Sequence, residues 1–562
     1  MRSSVLLLGL RHLRGPLIVI ITVFAAGIAG LVLIPGVGAD GVPWRMNFAE
    51  ALYFMSYTAT TIGFGEIPGA FTDTQRLWVT VIIFASVMGW AYLVASLLAL
   101  ARDEAFRGAL TAAAFARSIR ALREPFYLIC GFGETGFLVG RALDRLGLRF
   151  ALLDLDQARI QESKLMDLSQ DAPALCADVR LPDTLLLAGL ASPNCRGVLA
   201  LTNDDQANLA VAMSVRLLNP DTPVLARAMS REVEANMASF RTDHIVNPFA
   251  RFVDYLALAL AAPASYRLAS WLTALPGTEF SMHLAPPRGR WVVCGYGRFG
   301  REVVHALRDQ GLDACIVDPV GDEAPGLQTI HGTGTEAEPL RQAGVREAVG
   351  IVAGTDDDIT NLSIAVTARE LNDNLFTVVR QNLQSSRDLY RAFAADITMV
   401  SSEIVANECL AVIKTPRLAD FLAFARGQND EWAERVLEQL GAVMGSRVPE
   451  IWSVRLSAEQ APAPVAALAA DEEAVTLTDL LRDPTDRDRP LPMLTLSRSR
   501  KGTFSALPDP EQPLQAGDEL LFAGTAAAYR AQLGILRNAN VCRYVLTGDE
   551  VPAGWVWQVL RR

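Results

Sequence analysis

The chain has no paired cysteines, no surplus of positive charge and no side-chain arrangement of a recognisable catalytic type. Seven cysteines are scattered through 562 residues without a CxxC pair. That argues against a thiolate zinc site or a disulfide framework and fits a reducing compartment for most of the chain. The formal net charge of −11 removes the electrostatic footprint of a general nucleic-acid binder. The lone histidines, such as His331, read as ordinary surface or satisfied residues rather than metal ligands. No Ser/Tyr/Lys or His/Asp arrangement supplies a catalytic acid or base, so an oxidoreductase reading starts without its chemistry.

Apolar residues are abundant and unevenly placed. They make up 51% of the chain, the mean hydropathy is +0.23, and most of the excess lies before Ala101. The length predicts roughly three to five structural units rather than one core. Gly15–Ala39 and Leu77–Ala101 carry no charge. At about 25 residues each, they are long enough to cross a hydrocarbon core of roughly 30 Å. A signal peptide is a poor account of the first stretch, because it is too long and a second span follows closely. Arg2, Arg11 and Arg14 precede the first span, and Arg102, Arg107, Arg117, Arg120 and Arg123 follow the second. The positive-inside rule then places both termini in the cytoplasm of a multi-pass protein of the cell membrane. One span precedes the central segment and carries no arginine ladder, which excludes a voltage sensor of the usual type.

Between the spans, Asn47–Thr60 is apolar and aromatic but too short to cross, and it predicts a re-entrant helix. Irregular backbone at membrane depth is tolerated only where protein buries it or where it lines a watery path. Thr61-Ile62-Gly63-Phe64-Gly65 is such a segment. Its glycines permit dihedrals that aim successive carbonyls one way, which can replace the hydration shell of a cation. The Thr61 hydroxyl offers one more ring of oxygens, and Glu66 adds negative charge at the outer end. With Thr60 before it, this stretch resembles the potassium-channel signature T-V-G-Y-G-D. Ile62 stands for Val, Glu66 for Asp, and Phe64 for Tyr, so the hydroxyl that normally bonds behind the filter is missing from that position. The resemblance implies K+ as permeant ion and a homotetramer around one axis, embedded in membrane lipid. Gly89, midway along the second span, is a candidate gating hinge, with close helix packing as its other use.

The remainder is α/β and repeats itself. The strand Phe126–Cys130 runs into Gly131-Phe132-Gly133-Glu134-Thr135-Gly136 and a helical pattern, and a second strand ends at Asp154, with Asp156 beyond. Trp291–Cys294 runs into Gly295-Tyr296-Gly297-Arg298-Phe299-Gly300, and the next strand ends at Asp318. The first glycines stand 164 residues apart, and in both copies the acid follows the first glycine by 23 residues. "GVLALTNDDQANL" at Gly197 and "VGIVAGTDDDITNL" at Val349 match as well, so the chain holds an internal duplication. A strand, GxGxxG, a helix and a spaced acid form the dinucleotide fingerprint. Glycines let the backbone approach a pyrophosphate, the helix N-terminus receives it, and the acid takes ribose hydroxyls.

A pore followed by two such domains resembles the RCK family, the regulators of potassium conductance, and the domains also resemble the Trk-type potassium-uptake regulators. The implied fold is an α-helical membrane pore, two spans plus a re-entrant pore helix, then two α/β Rossmann-like RCK domains and a small α+β C-terminal lobe. The expected division is a cytoplasmic N-terminus at 1–15, a pore at 16–101, a linker at 102–124, and a first RCK domain with crossover helices at 125–274. A linker at 275–287, a second RCK Rossmann domain at 288–440 and a Trk-type lobe with a tail at 441–562 follow. The resemblance implies a gating ring that answers to NAD(H) or an adenine nucleotide, with Ca2+ as a further candidate. The acids Asp204-Asp205, Asp356-Asp357-Asp358, and Asp154 with Asp156 are better read as helix caps than as a divalent site. A membrane-anchored regulatory subunit of a potassium transporter is the alternative, and an NAD-dependent oxidoreductase a more distant one. Ala458–Asp488 is expected to be partly loop, and Asn538–Arg562 has no assigned role.

Overall fold

The computed structural model describes residues 2–37, 43–67, 69–274, 276–279, 285–320, 326–470 and 474–549. Backbone contacts divide the chain into two compact units, essentially residues 1–123 and 124–562. The tail beyond 549, positions 275 and 280–284 of the expected linker and a stretch within Ala458–Asp488 lie outside the described residues.

The first unit is built on two long helices, α1 (Arg2–Leu33) and α3 (Asp73–Arg102). Leu13–Leu33 and Asp73–Arg102 are long and apolar enough to cross a membrane, by length and composition. The first helix stops six residues short of the expected Ala39, because Pro35-Gly36 follows its last turn. Between them lies α2 (Phe48–Ala59), with Asn47 as N-cap in a capping box with Glu50. Thr72 and Gln75 form the same device at the start of α3. The helix pair packs closely because α1 presents glycines. A Cβ at Gly30 would lie 2.1 Å from the Trp78 ring, and one at Gly27 would lie 2.7 Å from Met55 Sδ. Small residues of this kind let membrane helices approach. Leu31, Ala51, Phe54, Met55, Phe71 and Ile82 fill the resulting core. A fourth helix, α4 (Glu104–Ala121), follows directly on α3.

The second unit begins with two copies of one design. The first has strands β1 (Phe126–Cys130), β2 (Arg149–Asp154), β3 (Ala174–Cys176), β4 (Cys195–Ala200), β5 (Val224–Arg227) and β6 (His244–Val246), in spatial order 3-2-1-4-5-6. The second has β7 (Trp291–Cys294), β8 (Ala314–Asp318), β9 (Gln328–His331), β10 (Gly350–Ala353), β11 (Phe376–Gln381) and β12 (Ile397–Val400), in order 9-8-7-10-11-12. These are parallel, doubly wound sheets with a switch point beside β1 and β7, where such folds bind ligands. Continuous apolar runs such as Trp291–Cys294, wholly buried, are what a sheet covered on both faces requires.

The duplication extends to buried polar groups. Asn208 donates to the carbonyls of Thr202 and Arg227, each at 2.9 Å, while its oxygen accepts from Thr202 N and Oγ1. Asn361 repeats the network with Thr355 and Arg380 at 2.7–3.0 Å. Each amide ties the switch-point loop to the next strand.

The copies exchange helices. After its sheet, the first copy sends α6 (Pro248–Ala261) onto α7 (Arg298–Asp309), the helix after the second glycine loop. The second copy sends α8 (Ser401–Lys414) onto α5 (Glu134–Arg145), the helix after the first loop. The lobe that follows carries a four-stranded antiparallel sheet, Glu450–Arg455, Glu519–Gly524, Met493–Arg500 and Thr503–Ala506 in that spatial order. Within Ala458–Asp488, Pro462–Ala470 is helical, as its alanines favour.

Asn361→Ala should cost about 2–3 kcal/mol of local stability, because it strands buried carbonyls. Hydrogen–deuterium exchange at Thr355 and along β11 should rise accordingly; unchanged protection would contradict the tie.

Candidate functional site

The loop after α2 is shaped from its own helix end. Thr60 caps the helix, and its hydroxyl donates to Ser56 O at 2.8 Å. The amides of Ile62 and Gly63 both donate to Tyr57 O, at 2.9 and 3.4 Å. The backbone then passes through left-handed dihedrals at Thr61 (φ 61°), Gly63 (φ 68°) and Gly65 (φ 88°). Glycine takes these at no steric cost, whereas threonine is strained there. Thr60 to Glu66 are all exposed on the single chain.

Two expectations change. The hydroxyl missing from Phe64 is supplied by Tyr57, whose phenol donates to Gly65 O at 2.6 Å. Phe64 stacks on Tyr53 at 6.4 Å and meets Tyr57 edge-on at 5.4 Å, so an aromatic cuff holds the loop from behind. Glu66 is not a bare mouth charge. It accepts from Arg76 Nε at 2.8 Å, from Arg76 Nη2 at 3.2 Å and from Phe71 N at 2.8 Å. Gly89 is buried in an unbroken α3, where a Cβ would make ordinary contacts with Ile20 and Val19 of α1 at 3.5 and 3.7 Å.

In the second unit, both glycine loops form the expected cradle. Gly131 (φ 100°) and Gly295 (φ 93°) are left-handed. A Cβ at Gly136 would stand 2.2 Å from Gly131 O, and one at Gly300 would stand 1.9 Å from Gly295 O, so each helix closes on its strand only through glycine. Gly133 and Gly297 are the N-caps of α5 and α7, and neither helix start has a side-chain cap. Amides at both N-termini thus remain available for an anion. Asp154 accepts from Phe132 N at 2.6 Å and Asp156 N at 2.8 Å, and Asp318 from Tyr296 N at 2.7 Å and Val320 N at 2.9 Å. These acids therefore set the loop's shape; the half-buried Asp318 also retains lone pairs for ribose hydroxyls, whereas Asp154 is buried and faces Arg159 at 3.6 Å. The residues fit a nucleotide.

Other expected contacts fall elsewhere. Phe299 is fully buried and packs on Phe249 and Phe252 at 5.6 and 5.4 Å; it is core, not ligand surface. Thr135 is also buried, its hydroxyl without a partner. Glu134 accepts from Gln384 N of the second copy at 2.8 Å, while Arg298 is exposed. The acid clusters act as the caps they were read to be. Asp156, Asp204 and Asp357 each cap a helix, while Asp205 and Asp358 accept loop amides. Among the described residues, no group of three His, Cys, Asp or Glu side chains is placed to hold a metal ion.

Sequence reasoning missed Tyr57, Arg76, Asn208, Asn361, Arg227 and Arg380. The last four occupy matching places in the duplicated segments, a signal that aligning the copies would have exposed.

Residues 18–103 match the family described as ion channel, and residues 127–248 and 291–401 each match the TrkA-N domain. Potassium channel protein 1 of Methanocaldococcus jannaschii is 24% identical over 205 residues, covering 36% of this chain and 59% of that protein. The chain thus spans about three-fifths of that relative's length. A Trk system potassium uptake protein TrkA homolog of Pyrococcus abyssi is 23% identical over 184 residues, covering 29% of this chain and 80% of that one. A solved structure titled GsuK channel covers 93% of this chain and 98% of its own, at 17% identity and a TM-score of 0.46.

Arg76→Gln should leave the Glu66 charge unopposed and raise cation conductance at low ionic strength. The gain should fade near physiological salt, where the screening length is about 8 Å. Single-channel conductance across a salt series checks this; equal conductance at low salt would remove the ion pair's electrostatic role.

Proposed function

We propose that this chain, which joins an ion-channel segment to two TrkA-N domains, forms a tetrameric potassium-selective pore gated by a cytoplasmic nucleotide. The observation that carries the reading is the loop Thr60–Glu66. It is left-handed at Gly63 and Gly65, held from behind by Tyr57, and set between two helices of spanning length. Four copies around an axis would line a path with the Thr61 hydroxyl and the carbonyls of residues 61–64 and strip a potassium ion of its water. The M. jannaschii relative, named a potassium channel protein, supports the choice of ion.

In this reading 16–101 is the pore and 102–124 the linker. The domains at 125–274 and 288–440, joined by 275–287, form the gating ring, and 441–562 the lobe. Both termini are cytoplasmic, and the protein resides in the cell membrane. The two fitted cradles support NAD(H) or an adenine nucleotide as the regulator. When bound, the nucleotide supplies a charged strut between glycine loop and strand end. The protein's part is to present backbone amides at a helix start and a carboxylate at a strand end, as α7 and Asp318 do. Because α4 follows α3 without a break in the chain, a change of ring shape has a covalent route to the inner helix, with Gly89 as the place to bend. A ligand opens the pore only as far as it prefers the open ring. A regulatory subunit for a separate transporter would use the repeats but leave the filter loop without a purpose.

Potassium flux from liposomes holding the purified protein, with NAD, ADP or Ca2+ added to the cytoplasmic face, tests this reading. Selective flux that responds to a nucleotide is expected; flux equal for potassium and sodium would sink it. Gly63→Ala, which forces a side chain into φ 68°, should drive the potassium-to-sodium ratio towards one while leaving nucleotide binding intact.

A further inference from the structure

The two cradles share a backbone and differ in the side chains around it. At the first, α5 opens with Glu134, whose Oε2 is buried without a hydrogen-bond partner while Oε1 accepts from Gln384 N. At the second, α7 opens with the exposed Arg298. A carboxylate in the first turn already answers the positive end of its helix, and it repels a phosphate arriving at the same amides. A guanidinium at the equivalent place attracts one.

The space over the loops differs too. A Cβ at Gly133 would come within 3.4 Å of Arg159 Nη1. The same guanidinium lies 3.6 Å from Asp154 and 3.8 Å from Asp156. Asp154 is only 5% exposed, so the acid that a ribose would need is covered and paired. A Cβ at Gly297 would meet nothing within 4 Å. Asp318 is half-buried and enters no ion pair among the described residues.

Charge gathers beside the second cradle. Arg227, at the end of β5, and Arg380, at the end of β11, are both more than nine-tenths buried. Arg227 is pushed down to about 10, by burial first, with Asp205 pulling it up and Arg298 and Arg380 adding to the fall. Burial lowers Arg380 as well; Asp356 opposes that fall, Arg298 adds to it, and Asp358 opposes it weakly. Arg380 pairs with Asp356 at 2.7 Å, yet its Nε is buried with no partner. Three guanidiniums thus lie within electrostatic reach of one another, and two of them are buried.

We propose that the second cradle alone holds the phosphates of an adenine nucleotide, with Arg298 as their counter-charge, while Glu134 and Arg159 fill the places that phosphate and ribose would need in the first. The inference rests on the nucleotide-gating reading and narrows it: one repeat senses, and the other is closed by its own side chains.

Equilibrium dialysis of the full-length protein in detergent, with radiolabelled ADP and with radiolabelled NAD, tests it. One equivalent per chain is expected for at least one probe. Arg298→Glu, at an exposed position, should weaken that binding at least tenfold, and Arg298→Gln by less, with the thermal unfolding midpoint of both variants unchanged. Two equivalents per chain, or one equivalent insensitive to both variants, would overturn the assignment while leaving nucleotide gating standing. Wild-type protein that binds neither probe would remove the nucleotide reading and this inference together.

Discussion

The second unit depends on one packing event, the mutual burial of exchanged helices. α6 leaves the first repeat and lies on α7 of the second, where Phe249 and Phe252 close on Phe299. Burying an aromatic ring of this size is worth about 2–3 kcal/mol. Trp291, Val293, Val303, Val304 and Leu307 continue the same cluster beneath them. The return exchange sets α8 on α5. Neither repeat completes its core alone, because the helix that follows each glycine loop is covered by the other repeat. Arg380 shows how tightly the sites are tied to this junction, since its guanidinium lies 4.9 Å from the centre of the Phe249 ring and 5.8 Å from that of Phe299. Arg380 thus joins a strand end of the second repeat to the packing between the repeats.

The first unit solves a different problem. Its long helices are apolar nearly all round, so the hydrophobic effect does little to choose their contact in a lipid environment. Shape chooses it instead. Gly27 and Gly30 leave the room that Met55 and the Trp78 ring occupy, and α2 is wedged into the same core through Ala51, Phe54 and Met55. The loop that follows inherits its position from α2, because Tyr57 holds it twice: through its carbonyl, which takes two amides, and through its hydroxyl on Gly65 O. Unusual backbone is held where several such ties over-determine it.

Much of this was legible in the residues. Apolar runs marked α1 and α3, and a short apolar and aromatic run before a glycine stretch marked α2 to within a residue at each end. β1 and β7 fell on Phe126–Cys130 and Trp291–Cys294, as their apolar runs and the glycines behind them require. These features are local. Periodicity, caps and glycine punctuation act over a few residues, and a duplicated segment repeats them.

What the sequence by itself determined is therefore the set of elements, their duplication and the backbone chemistry of the glycine loops. Tertiary structure decided which partner each side chain received. Phe299 and Arg298 are neighbours in one motif, yet one is fully buried and the other exposed, because α6 covers only one side of α7. Glu66 reads as a free charge until the start of α3 brings Arg76 beside it. Phe64 reads as a lost hydroxyl until Tyr57, on the preceding helix, restores one. The physical reason is common to all three. Burial, ion pairing and hydrogen bonding depend on distances between elements, and those distances exist only after the helices and sheets have packed.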